Sequence, residues 1–392
     1  MPLQDYMKMI SVDDHVIERP NLWTDRLPAK YRDIGPHMVT IQEETISRHV
    51  FGELVLNPGD QVWVYEDRVN PQLALNAVAG KDPKEWRGKE PTRLDQIIPG
   101  CYDPQARVAD MDLDGIEAML LFPTFPRFAG TAFLQATDKD LALLCVKAWN
   151  DFIIEEWYGY APTRFIPMMI LPLWDVPAAV AEIERMAGLG VRCIAFPENP
   201  APLGLPSWSS PHWDPVLAAA QAHGLPLCMH FGTSGLDLRP SDDCSSLAVT
   251  TTFGVNSMLT LADLLFSPVF HKFPDLKCVL SEGGIGWIPW LLARAETTWE
   301  RHRWYSGSNT EVNPRDLFGK NVFGCYIDDP VGLRERHTIG IDNIMWECDY
   351  PHSDSDWPHS RKKAAEALAD VPDDEVHKIV ELNARRIFNF EG

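Results

Sequence analysis

Basic residues are scarce in this 392-residue chain. Lys and Arg number 35 against 56 Asp and Glu, a formal charge of −21. A surface of that sign repels phosphate backbones and anionic lipid headgroups, so nucleic acid and membranes are poor partners and a small-molecule substrate is expected. None of the eight cysteines (101, 145, 193, 228, 244, 278, 325 and 348) forms a CxxC pair. Five of them, Cys193, Cys228, Cys278, Cys325 and Cys348, lie in or beside apolar runs, so buried free thiols are expected rather than disulfides. That usage suits a reducing cytoplasm. The opening MPLQDYMKMI lacks the charged-then-apolar pattern of a signal peptide, and no unbroken apolar run of about 18 residues suggests a membrane span. There is no G-x-S-x-G elbow, which argues against a serine hydrolase. Gly283-Gly284-x-Gly286 has neither the G-x-G-x-x-G spacing nor a Lys-Ser/Thr ending, so no nucleotide site is expected there. No repeat, low-complexity tract or linker marks a second domain.

What is present is alternation. With 45% apolar residues the chain can bury a large core. Eight candidate strands appear: Lys8–His15, Gly115–Phe122, Arg164–Leu171, Val191–Phe196, Leu225–Phe231, Leu276–Ser281, Val322–Ile327 and Asn343–Cys348. Most are continuous apolar runs, as parallel strands covered on both faces require. Helical patterns fall between them, at Asp138–Glu156, Val176–Leu189, Asp214–His223, Asn256–Phe266, Ile288–His302, Arg361–Leu368 and Asp373–Phe388. Gly190 and Gly224 follow two of these as stop signals. The alternation predicts an α/β fold, either a barrel or a doubly wound sheet, and eight repeats favour a single (β/α)8 barrel over residues 1–392. Two long excursions interrupt it. Pro36–Arg107, rich in Trp, Pro and Gly, reads as an inserted lid or loop region after the first strand; Gly232–Val255 follows the fifth.

Ionisable residues collect where strands end. The first strand ends Asp13-Asp14-His15, followed by Glu18. The fifth ends in His230, the sixth runs into Glu282, and the eighth into Glu347-Cys348-Asp349-Tyr350-Pro351-His352. Residues i and i+2 of a strand share a face, so Asp13 and His15 enter the barrel mouth together. His230, Glu282 and Asp349 reach the same rim from other strands. Singly, such residues serve as helix caps or hydrogen-bonded structural histidines. Together they would bury several uncompensated charges, a cost that a divalent metal removes.

The run Ser11-Val12-Asp13-Asp14-His15-Val16-Ile17-Glu18 resembles the opening motif of the amidohydrolase-related proteins, the decarboxylase-like branch of the amidohydrolase superfamily. The segments 107–115, 281–289 and 346–352 resemble that family's second-, sixth- and eighth-strand motifs. The resemblance implies a deformed (β/α)8 barrel with one or two divalent metals. It implies Asp13, His15, His230 and Asp349 as ligands, with Glu282 and His352 able to complete a second metal position. Family assemblies imply a homo- or hetero-oligomer with a related subunit. The sequence departs from the superfamily pattern in having Asp13-x-His15 for His-x-His, and Glu282 where His is common. Harder oxygen ligands shift preference from zinc toward manganese or iron.

Three chemistries use such a centre. The first expectation is a metal-dependent hydrolase, in which metal-bound water attacks an amide, ester or thioester carbonyl. Asp349 would then be the base, and His230 a ligand or an oxyanion stabiliser. His352 would orient Asp349 or touch substrate; its plain alternative is a turn histidine beside Pro351. The alternative is a non-oxidative decarboxylase of a hydroxylated aromatic acid. A second alternative is a non-heme iron oxygenase, and a non-catalytic paralogue is disfavoured by the intact ligand set. Arg127 is a candidate grip for a substrate carboxylate, with a surface salt bridge as its plain fate. Glu198, after the fourth strand, is a candidate site residue. Trp63, Trp86, Trp174 and Trp208 are candidate pocket walls, with packing the rival role for each.

Overall fold

The computed structural model describes residues 3–49, 52–71, 73–82, 84, 91–236, 238–241, 243–307 and 311–391. It is an α/β protein whose long sheets are parallel. The first strand, β1 (Met9–Val16), is buried along its whole length. The excursion that follows carries β2 (His37–Thr40), β3 (Thr45–His49), β4 (Gly52–Leu56), β5 (Gln61–Tyr65) and β6 (Arg68–Asn70). These are antiparallel, in the order β2-β5-β6 and as a separate β3-β4 hairpin. The expected lid or loop region thus carries five short strands among its loops. Trp63, a candidate pocket wall, is instead fully buried between Trp23 and Phe125, and Trp86 lies outside the described residues.

The parallel strands come next: β7 (Ile116–Pro123), β8 (Phe165–Ile166), β9 (Met168–Met169), β10 (Cys193–Ala195), β11 (Leu227–His230), β12 (Cys278–Ser281), β13 (Val322–Tyr326) and β14 (Ile344–Trp346). They form two sheets, β1-β7-β8 and β9 through β14 in unbroken chain order. One predicted strand, Arg164–Leu171, spans both. It is divided at Pro167, which has no N–H for a ladder, so β8 pairs with β7 and β9 with β10. At the far side, the backbone N–H of Asp349 donates to Asp13 O (2.8 Å) and that of His15 to Tyr350 O (2.7 Å), tying the segment after β14 to β1.

Helices cover the outer faces. Lys139–Phe152 starts where Asp138 accepts the Leu141 amide, and Val176–Ala187 where Asp175 accepts that of Ala178. Both predicted long helices, Asp138–Glu156 and Asp373–Phe388, contain a π segment, Ile153–Tyr158 and Lys378–Leu382. One helical stretch, Ser246–Phe266, is long and apolar enough to cross a membrane on length and composition, where none was expected. Asp263 interrupts it, and Asn256, Ser257, Leu261, Leu264 and Leu265 are buried against the protein. The cysteines are free thiols, and all but Cys244 are buried.

Candidate metal centre

Asp13 owes its position to an irregularity in β1. Between Ser11 and Asp14 the strand advances three residues while β7 advances two, from Met119 to Leu121, so β1 carries one extra residue there. Asp13 and His15 face one another: His15 Nε2 lies 3.4 Å from Asp13 Oδ1. Asp14 turns elsewhere and accepts the Tyr350 amide. Beneath β1, the buried Arg107 donates to His15 O and Gly100 O (2.6 Å each), with its guanidinium 4.3 Å from the Tyr350 ring centre. The opening strand is therefore fixed by a guanidinium, as well as by its ladder.

Three other chain segments meet these two residues. His15 Nε2 is 3.2 Å from Asp349 Oδ1, and His352 Nδ1 is 2.7 Å from the same oxygen. His230 Nε2 is 2.8 Å from Glu282 Oε2 and 3.6 Å from Asp13 Oδ2. His230 Nδ1 faces its neighbour's carbonyl, Phe231 O, at 2.7 Å, which leaves Nε2 for the cluster. Glu282 and Asp349 both have left-handed backbones, φ 53° and 57°, which non-glycine residues adopt at a cost. Two groups have ligand atoms close enough to share one ion: Asp13, His15 and His230; and His15, Glu282, Asp349 and His352.

The electrostatics are those of crowded buried acids. Burial pushes Asp13 well above the usual carboxylate range, and Glu347, Asp349 and Glu282 push it further. Burial likewise raises Asp349, with Glu282 adding to it, and raises Glu347. His15 is held well below its ordinary value by burial and by the neighbouring His352 and His230. Burial pulls His230 down too, but the Glu282 contact outweighs it and leaves His230 raised. Both oxygens of Asp13, Asp349 Oδ2 and His15 Nδ1 are buried without a hydrogen-bond partner. Orphaned acceptors of this kind, set around unprotonated imidazole, are a donor set that fits a divalent cation.

The five residues expected at the metal lie together in two overlapping groups, and His352 joins them beside Asp349. The other candidates are not among these ligand groups. Glu198 accepts the Gly232 amide (2.8 Å), the Ser234 hydroxyl (2.9 Å) and the Asn256 amide (3.3 Å), and so spends one oxygen tethering the loop after β11. Trp208 donates to Glu198 O and packs on Phe196. Trp174 lies with the Lys139 ammonium 5.0 Å above its ring. Arg127 is exposed, in a left-handed conformation, one residue before Phe128.

Sequence reasoning missed Glu347, Phe128 and the role of Glu18. Glu347 stands two positions before Asp349, so the same alternation that paired Asp13 with His15 pointed to it. Its Oε2 accepts the Glu282 amide. Phe128 has no such signal. Its ring centre lies 4.6 Å from that of His15 and 4.2 Å from that of His230. The Gly283–Gly286 turn also has its own occupant: Asp329 Oδ2 accepts the Ile285 and Gly286 amides, consistent with the absence of a nucleotide motif.

Comparison with known proteins gives the remaining findings. The amidohydrolase family profile matches residues 98–390, leaving the β1 residues outside it. The chain is 26% identical over 330 residues to a gamma-resorcylate decarboxylase from a Rhizobium species, covering 76% of this chain and 93% of that one. It shares the fold of an amidohydrolase from Mycobacterium avium subsp. paratuberculosis (TM-score 0.75, 23% identity, 98% and 100% of the two chains). It also shares that of a dihydroxybenzoic acid decarboxylase from a Polaromonas species (TM-score 0.60, 18% identity, 98% of each chain), whose structure holds manganese and 2-nitroresorcinol. These findings overturn the expected hydrolase: the curated relatives named by reaction are decarboxylases, some of gamma-resorcylate and some of 2-amino-3-carboxymuconate-6-semialdehyde. The error has a physical origin, since imidazoles and carboxylates around a cation serve an attacking water and a chelated aromatic acid alike.

Proposed function

Because the chain belongs to the amidohydrolase family, we propose from that premise that it is a metal-dependent, non-oxidative decarboxylase of a small hydroxylated aromatic acid. The observation that carries this reading is the pair of overlapping ligand groups that share His15, namely Asp13, His15 and His230, and His15, Glu282, Asp349 and His352, in a chain whose relatives include decarboxylases of such acids. Asp13, His15, His230 and Asp349 would hold a divalent ion, and Glu282 lies beside His230. Manganese suits the oxygen-rich set and is the ion in the Polaromonas structure. The two parallel sheets are then arcs of one (β/α)8 barrel, supported by the bonds from the segment after β14 to β1, with 36–107 inserted after its first strand.

A bound cation supplies positive charge for the substrate's carboxylate and adjacent hydroxyl oxygens. The rest of the work falls to side chains. Asp349, in close contact with His352, would carry the proton to the ring carbon that bears the carboxylate. The bond from that carbon to the carboxylate breaks, its electron pair returns to the ring, and carbon dioxide leaves. His352, 2.7 Å from Asp349 Oδ1 and slightly more exposed, returns a proton to the aspartate. Phe122 and Phe128 flank both imidazoles and keep water sparse there.

The test is carbon dioxide release by manganese-loaded protein from a panel of ortho-hydroxylated benzoates, with benzoate itself as the control. Release from hydroxylated acids alone is expected. No release from any member of the panel would overturn the reading.

A further inference from the structure

Phe128 packs against the imidazoles of His15 and His230. Its centre is close to both imidazoles that face the cation site, tilted 51° from His15 and 48° from His230. It is only half-buried, so part of the ring is covered by the histidines and the core and the remainder is accessible. It follows an exposed, left-handed Arg127 in a short turn, where the Arg127 amide donates to Thr124 O (3.1 Å) and the Gly130 amide to Arg127 O (2.9 Å). A turn of this length does not set its own side chains; something must hold its start.

Glu18 does so. Its carboxylate is fully buried just beyond β1. Oε1 accepts the Thr124 amide (3.0 Å) and the Trp149 indole N–H (3.0 Å), and Oε2 accepts the Phe125 amide (2.8 Å). Three donors converge on one acid with no acceptor to spare. Thr124 and Phe125 are the residues from which the Arg127–Phe128 turn springs, so the acid sets where the ring of Phe128 sits.

We propose that Phe128 is a specificity-determining residue that forms the wall for the substrate's aromatic ring, and that Glu18 is the positioning residue that holds it there. The inference rests on the aromatic-acid reading above for its substrate class. It predicts discrimination between two ligands that offer the same oxygens to the cation. Salicylate and 3-hydroxypropanoate both present a carboxylate and a hydroxyl at the same spacing; only salicylate has a ring.

The experiment is calorimetric titration of manganese-loaded protein with each ligand, together with metal stoichiometry, for the parent, Phe128→Ala, Phe128→Tyr, Glu18→Gln and the Phe128→Ala/Glu18→Gln pair. The parent is expected to prefer salicylate. Phe128→Ala should weaken salicylate about tenfold and leave 3-hydroxypropanoate unchanged, the scale of one aromatic contact. Phe128→Tyr should keep the preference. Glu18→Gln should weaken salicylate in the same direction, because an amide cannot accept at both ends, and should add nothing to Phe128→Ala in the pair. Manganese stoichiometry should not change in any variant. A parent without preference, equal loss of both ligands, loss of manganese in Phe128→Ala, or full additivity in the pair would each overturn the inference. If the parent prefers salicylate through Phe128 yet releases no carbon dioxide from any hydroxylated acid, the decarboxylase reading falls and the ring wall stands.

Discussion

The backbone N–H of Asp349 donates to the carbonyl of Asp13 at 2.8 Å. Two acids whose side chains face one cation site thus lie on segments bonded through their main chains, one in the irregular part of β1 and the other in a left-handed turn after β14. The main-chain bond fixes the separation of the two carboxylates independently of any ion, so the centre is laid out before the metal arrives.

Replacing Asp349 with Asn keeps that main-chain bond and removes the acid. Decarboxylation by Asp349→Asn should fall about 10²–10⁴-fold in kcat, with circular dichroism and melting cooperativity unchanged. Steady-state carbon dioxide release beside the parent checks this, and an undiminished kcat would remove Asp349 from the reaction.

Removing the metal should cost stability as well as activity. Asp13, Glu347 and Asp349 are fully buried and mutually repelling, and a cation bound only to the folded chain stabilises it by about 2.7 kcal/mol at a hundredfold excess over Kd. Dialysis against a chelator should abolish turnover and lower the melting temperature by several degrees, and manganese should restore both. An unchanged melting temperature would contradict the assigned repulsion among the crowded acids.

The legibility of this centre in the sequence was uneven, for reasons that belong to particular residues. Asp13, His15, His230, Glu282 and Asp349 were readable because strand alternation and a common rim leave few places for acids and imidazoles to go. Glu347 was readable by the same rule. Phe128 was not, because its position depends on a turn held by a residue more than a hundred positions earlier. Strands β2–β6 were hidden because they are short and pair among themselves, and β2 is partly to fully exposed, so it carries no apolar run. The π segments were hidden because a 3.6-residue pattern hardly differs from theirs over one turn. The choice of reaction was closed altogether, since the ligand set is common to hydrolases and decarboxylases.

The tether at Glu198 makes a separate prediction. Thr233 Oγ1 accepts the Glu198 amide and donates to His230 O (2.8 Å), while the Glu198 carboxylate holds Gly232 and Ser234. Glu198→Ala leaves buried donors without an acceptor and loosens the residues that aim His230. Urea unfolding should show a loss of about 3 kcal/mol, and manganese titration about a tenfold weaker Kd. Unchanged manganese affinity would confine Glu198 to folding.

Glu18 gives the protein a pH signature. Burial raises its carboxyl from the ordinary 4.5 to about 7, against the opposing hydrogen bonds from Phe125, Thr124 and Trp149. Between these values the folded state binds more protons than the unfolded one, so this group's contribution to stability is full below about 4.5 and is lost as pH rises through about 7. Glu18→Gln does not titrate. The stability of the parent relative to Glu18→Gln should therefore fall by about 1–3 kcal/mol between pH 5 and pH 8, since each pH unit separating the folded and unfolded values is worth about 1.4 kcal/mol. Parallel urea curves at both pH values check it, and a difference that is constant or grows with pH would contradict the assigned direction.

The most direct measurement is proton nuclear magnetic resonance of the product formed by manganese-loaded protein from an ortho-hydroxylated benzoate in deuterium oxide. The expected product is a phenol carrying one deuterium at the carbon that lost the carboxylate, formed in equal amount with carbon dioxide and absent with Asp349→Asn. An oxidised ring, or a substrate recovered intact after prolonged incubation across the whole panel, would contradict non-oxidative decarboxylation at this centre.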